Sequence, residues 1–197
     1  MRFVSCVAAG WQEKTFQERF MSKLKKLTIA AICIALCVVL PMAFHMIPNA
    51  GSVMLPMHIP VLLCGLVCGW PAGFACGLLG PLLSSLLTGM PPAAVLPSMM
   101  VECAVYGLVS GLMLLFVRTK SVYADLYISM TAAMLAGRIL GGAAKALVFA
   151  PGSMTVPLWM TGYFVTGLPG IAVQLAVIPS LVFALMKAKL IPRRYSE

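Results

Sequence analysis

Apolar residues run along this chain in long blocks broken by short stretches of Pro, Gly, Ser and Asn. The strict alternation of half-buried strands is missing. Blocks of about 18 residues or more are long enough to cross the hydrocarbon core of a bilayer as helices. The pattern predicts an all-α integral membrane protein with six spans, at residues 24–44, 58–69, 72–87, 96–117, 126–149 and 160–186. The second is short and turns at Trp70-Pro71, where proline suits the first position of a new helix. Four glycines, Gly65, Gly69, Gly73 and Gly77, follow one another at a four-residue period through the second and third spans, and Gly80 comes next. Small residues at that spacing let helices approach closely where lipid supplies no hydrophobic drive.

Composition agrees with the pattern. Of 197 residues, 61% are hydrophobic and 10% charged, and the mean hydropathy is +1.01. A soluble domain carries about a quarter charged residues, so this chain cannot cover a water-facing surface. That excludes a soluble enzyme, a nucleic-acid reader and a secreted disulfide scaffold.

The formal net charge of +9 matters through its placement. Every Lys and Arg other than Arg138 and Lys145 lies outside the expected spans or in the opening turn of the first: in residues 1–20, at Lys23/Lys25/Lys26, at Arg118/Lys120, and at Lys187/Lys189/Arg193/Arg194. Loops carrying an excess of Lys and Arg face the cytoplasm. With six spans all of these fall on one side, which predicts both termini cytoplasmic in a multi-pass plasma-membrane protein of prokaryotic type. Residues 21–197 read as one membrane domain. Residues 1–20 read as an upstream extension or a misplaced start, because Met21-Ser-Lys-Leu-Lys-Lys resembles a fresh cytoplasmic beginning before a span.

Ionisable residues inside a membrane are costly and therefore informative. Beyond Lys25 and Lys26 in the opening turn of the first, three fall within the expected spans: Glu102 in the fourth, Arg138 and Lys145 in the fifth. All three converge on the outer half of the membrane in this reading. Ser98, Glu102 and Tyr106 share a helix face at four-residue spacing. A structural pairing of Glu102 with Lys145 or Arg138 leaves one positive charge over, and a ligand carboxylate or phosphate would neutralise it. Arg138 is the better anion clamp, since guanidinium grips a carboxylate through two parallel hydrogen bonds. Gln174 in the sixth span and Asn49 in the first outer loop are neutral candidates for the same pocket.

Other chemistries find no support. The seven cysteines show CxxxC spacing at Cys33/Cys37 and Cys64/Cys68, which is neither a CxxC redox motif nor half of a zinc site. They read as small buried hydrophobes. His45 and His58, with Met42, Met46, Met54 and Met57, resemble a soft-metal site only loosely. No carboxylate joins them at ligand spacing, so no metal is expected. Gly141-Gly142-Ala-Ala-Lys145 is not a phosphate loop, and no hydrolase motif is present. The chain is expected to be no enzyme and to hold no cofactor.

The size, the spans, and two segments together resemble the substrate-binding S components of energy-coupling factor (ECF) vitamin transporters. Lys-Leu-Lys-Lys-Leu-Thr-Ile-Ala-Ala-Ile-Cys-Ile-Ala-Leu from Lys23 is similar to the family's first helix, with a small-xxx-small pair at Ala31 and Ala35. The stretch 55–80, with its proline and glycine ladder, resembles the family's second–third hairpin. The resemblance implies capture of a vitamin or related micronutrient from outside, beneath a lid over residues 45–56. It implies docking through Ala31 and Ala35 onto a transmembrane T component that carries two ATPase subunits, with ATP used by those partners alone. The implied binding residues are Asn49, His58, Glu102, Tyr106, Arg138, Lys145 and Gln174. Met57-His58-Ile59-Pro60 echoes the N-terminal start of the nickel and cobalt members, but here it is internal and lacks the free amine, so the metal role does not carry over. The competing readings are a stand-alone permease or membrane sensor without an ATPase partner, and a membrane thiol enzyme.

Overall fold

The computed structural model describes residues 23–44, 53–149 and 155–191, and among them there is no strand. Helix α1 spans Lys23–Phe44, α2 His58–Cys68, α3 Trp70–Thr88, α4 Leu96–Phe116 and α5 Val122–Ala144. A π-helical turn, Lys145–Phe149, continues α5. After it come a short α6, Val156–Met160, a second π-helical turn, Thr161–Val165, and α7, Leu168–Lys187. Residues 1–20, the larger part of the expected lid, and Asn49 lie outside the described residues.

Among the described residues five helices are long and apolar enough to cross a membrane: α1, α3, α4, α5 with the start of its π turn, and α7. Helix α2, at 11 residues, rises only about 16 Å, roughly half the hydrocarbon thickness. It is buried along its whole length apart from Ile59, which is half-buried. A helix that is apolar all round belongs inside a bundle, and α2 is the central post against which α1, α3, α4 and α7 pack. The sixth expected span, 160–186, is corrected in shape. Its first residues form the π turn, and a continuous helix begins only at Leu168-Pro169, with proline in the first turn.

The glycine ladder proves to be half of a two-sided contact. A Cβ on Gly73 would run into the carbonyl of Gly107 on α4, and a Cβ on Gly107 into that of Gly73. Gly77 lies on the Cys103 carbonyl, Gly111 on the Trp70 backbone, and Gly65 on Ser110 and Gly107. Helices α2, α3 and α4 thus meet backbone to backbone. Gly69 is not a rung of this ladder. It has a φ of 93°, a conformation that a side chain resists, and it makes the sharp turn from α2 into α3.

Between these helices and α1 lies a core rich in thiols. Cys33, Cys37, Cys64, Cys68, Cys76 and Cys103 are all buried and unpaired by disulfides, beside Val61, Leu62 and Leu66. On α1, Cys33 and Cys37 alone are fully buried, and the opposite face leaves Leu24, Leu27, Ile32 and Val39 exposed.

Candidate ligand-binding site

The polar core lies toward one end of the bundle, the end where α2, α4 and α7 begin and α5 finishes. His58 opens α2, Glu102 stands six residues into α4, Gln174 six into α7, and Arg138 six before the end of α5. At 1.5 Å per residue the last three lie about 9 Å in from their helix ends. Chain direction alone therefore brings them to one level.

Glycines on α5 make room for them. Gly137 faces the Tyr106 ring so closely that no Cβ would fit, and a Cβ on Gly141 would stand 2.8 Å from the Glu102 Cβ. With α5 pressed against α4, Glu102 and Tyr106 are buried, at 8% and 1% exposure. Tyr106 Oη donates to Glu102 Oε1 at 2.8 Å, and His58 Nε2 lies 3.7 Å from the same oxygen. The His58 ring meets Tyr106 edge-on, with centroids 4.9 Å apart. Both His58 ring nitrogens are buried and lack a hydrogen-bond partner.

Arg138 is 3% exposed. Its guanidinium carbon lies 5.8 Å from the centre of the Phe164 ring, within reach of a cation–π attraction. Its Nε has no hydrogen-bond partner. A Cβ at Gly167 would stand 3.0 Å from Nη1 and 3.1 Å from Nη2, so glycine at the head of α7 keeps that side of the guanidinium clear. Trp159 Nε1 donates to the Arg138 carbonyl at 3.4 Å and meets Phe164 edge-on at 5.3 Å. Gly142 is the seat for the Trp159 indole.

Gln174 is buried and turns away from the charges: its Nε2 donates to the Leu55 carbonyl at 3.4 Å. That carbonyl also accepts from the His58 backbone N–H at 3.1 Å. Leu55 has a φ of 49°, uncommon for a residue with a branched side chain, and the two bonds hold it there. The structure thus ties α7 to the start of α2 through Leu55.

The alternative weighed from the sequence, a structural ion pair of Glu102 with Arg138 or Lys145, does not form. Glu102 instead accepts from the Tyr106 hydroxyl and has the His58 ring nitrogen Nε2 at 3.7 Å. Lys145 is half-buried at the start of the π turn. Ser98, grouped with Glu102 by spacing, spends its hydroxyl on the Val95 carbonyl at 2.9 Å. His58, Glu102, Tyr106 and Arg138 come together, and Gln174 joins them through Leu55. Phe164, Trp159 and Gly167 were missed by sequence reasoning. The available signal was the crowding of Gly137, Gly141 and Gly142 around Arg138. Among the described residues no three His, Cys, Asp or Glu side chains stand close enough to share a metal ion.

These features define an all-helical, multi-pass membrane protein with charged and polar groups gathered at one level of its interior. The family model described as ECF transporter, substrate-specific component, matches residues 25–191. The chain belongs to that family, whose members are transporter subunits rather than enzymes. No curated protein and no solved structure matches it.

Proposed function

We propose that this chain captures a vitamin or related small organic micronutrient and hands it inward with a T component and two ATPase subunits. The observation that carries this reading is Arg138: a buried guanidinium with an unpartnered Nε and no carboxylate in salt-bridge range among the described residues. An unpaired buried charge costs several kcal/mol or more, and a ligand bearing an acceptor offsets that cost when it binds. In this reading α2 completes a six-span topology, both termini are cytoplasmic, and the charge-poor end that holds His58, Glu102 and Arg138 faces outward in the plasma membrane.

The docking face fits the same reading. Ala31 and Ala35 are exposed on α1, in line with the exposed Leu24, Leu27 and Val39. Small residues on an uncovered helix face admit a close helix–helix approach. The test is co-expression with T and ATPase subunits, followed by purification and ATP-dependent uptake. A stable four-subunit complex is expected, and Ala31→Leu is expected to abolish it while leaving ligand binding intact. Uptake by the chain alone, with no complex, would assign it to the stand-alone permeases instead.

A further inference from the structure

We propose that the site takes a two-ended organic acid: a single carboxylate at Arg138 and, toward the neighbouring helix α4, a hydroxyl, amide or amine hydrogen given to Glu102. This rests on the reading of the chain as a capture subunit and specifies the polarity of its cargo.

The argument begins from a pair that is not made. Helices α4 and α5 touch where Gly141 meets Glu102 and Gly137 meets Tyr106, so an acid on one and a base on the other are within easy reach of each other. Were their role to clamp the helices, Glu102 and Arg138 would join, because separating two buried opposite charges wastes their attraction. They stay apart instead. Glu102 turns toward Tyr106 and His58, and Arg138 toward Phe164 and Gly167. An acid and a base held apart within one buried cluster form a site with two poles.

Each pole has a definite hydrogen-bonding sense. Arg138 only donates, and its Nε has no acceptor. Glu102 Oε1 is taken by the Tyr106 hydroxyl, and a carboxylate has further lone pairs on both oxygens, so this pole asks for a donor. His58, with both ring nitrogens unpartnered, lies beside Glu102 and as a neutral ring adds one donor and one acceptor. A ligand must therefore present acceptors to α5 and hydrogens to α4. Arg138 and Lys145 both act on Glu102 and outweigh it by one charge, so a single carboxylate suits the cluster better than a dianionic phosphate ester. Phe164 lies against the guanidinium and Gly167 brings no side chain to it, and a small planar carboxylate matches a guanidinium through two parallel hydrogen bonds.

The experiment is mass spectrometry of small molecules released by denaturing mildly purified protein, followed by calorimetric titration of the emptied protein. A carboxylic acid with at least one O–H or N–H is expected in the released fraction. The titrations use that compound and its methyl ester, or pantothenate against pantothenol and biotin against its methyl ester if the protein emerges empty. Loss of the carboxylate is expected to weaken binding about tenfold or more, the effect of removing a charged hydrogen bond. In Arg138→Gln the acid and its neutral analogue bind alike, whereas Glu102→Gln weakens both. The comparison of acid with neutral analogue on unmutated protein stands even if a variant fails to fold. A neutral, cationic or phosphorylated cargo, or no acid preference in any pair, overturns the proposal. Assembly with the T component and ATPase subunits is scored separately, so a capture subunit with the wrong cargo is distinguished from a chain that is no capture subunit.

Discussion

Arg138 owes its place to its neighbours in the sequence more than to its own charge. Gly137, Gly141 and Gly142 let Tyr106, Glu102 and Trp159 press against α5, and that pressure takes the guanidinium out of contact with lipid. Arg138→Ala is expected to weaken ligand binding by ~1.5–3 kcal/mol, the range of a charge-assisted hydrogen bond, and unchanged affinity in folded protein would remove Arg138 from the site. Tyr106→Phe removes the donor that steadies Glu102. A loss of roughly 0.5–1.5 kcal/mol in affinity is expected for one neutral donor, measured by titration calorimetry. At this scale the sequence was informative about identity and poor about partners. Glu102, Arg138 and Tyr106 stand out because polar groups are rare in apolar helices. Which of them bond to each other depends on helix rotation, which no single helix encodes, so the Glu102–Arg138 pairing weighed from charge alone does not occur.

At the scale of elements, the pattern of apolar blocks located α1, α3, α4 and α5 to within a few residues. It could not show that α2 is covered by protein on nearly every side, because an apolar run looks the same against protein as against lipid. It also ran the last span through the π turn at Thr161–Val165, since nothing in an apolar stretch marks a change of hydrogen-bond register. The glycine period was visible on α2 and α3, and Gly107 and Gly111 carry the same four-residue spacing on α4, but spacing alone does not say which helices face each other. Gly73→Ala or Gly107→Ala is expected to force α3 and α4 apart and to cost about 1–3 kcal/mol, as overpacking does. Gly162→Ala, where a Cβ would meet nothing within 4 Å, serves as the control. Equal melting temperatures for all three variants in detergent would show that the backbone contact is not tight.

Taken whole, the molecule hides its reactive groups as thoroughly as its polar ones. The six thiols of α1 to α4 are buried, and buried thiols in apolar surroundings are inert. A variant carrying Cys6→Ser is expected to resist maleimide labelling until it unfolds, with label uptake rising in a single step on heating. Rapid labelling of the folded protein would reopen the reading as a thiol enzyme. The polar cluster, the thiol core and the glycine contact together account for most of what α2, α3 and α4 bury. Helix α7 joins this arrangement at its edge, through Gln174 in the polar cluster and Ile178, Val182 and Met186 in the core.

The attachment of α7 is sparse: it meets α2 and α5 at few places, and one of its ties is the single bond from Gln174 to the Leu55 carbonyl. One wall of the site is thus stiff and the other compliant. A small molecule enclosed between such walls escapes when the compliant one yields, so its residence time follows the ease of that opening rather than the strength of its own contacts. Gln174→Ala is therefore expected to quicken release, followed by the fluorescence of Trp159 in stopped flow, by a larger factor than it weakens equilibrium affinity. Equal changes in the two would place the escape route on the α4 side. For an importer this division is useful: the bonds that select the cargo and the joint that times its departure are separate parts.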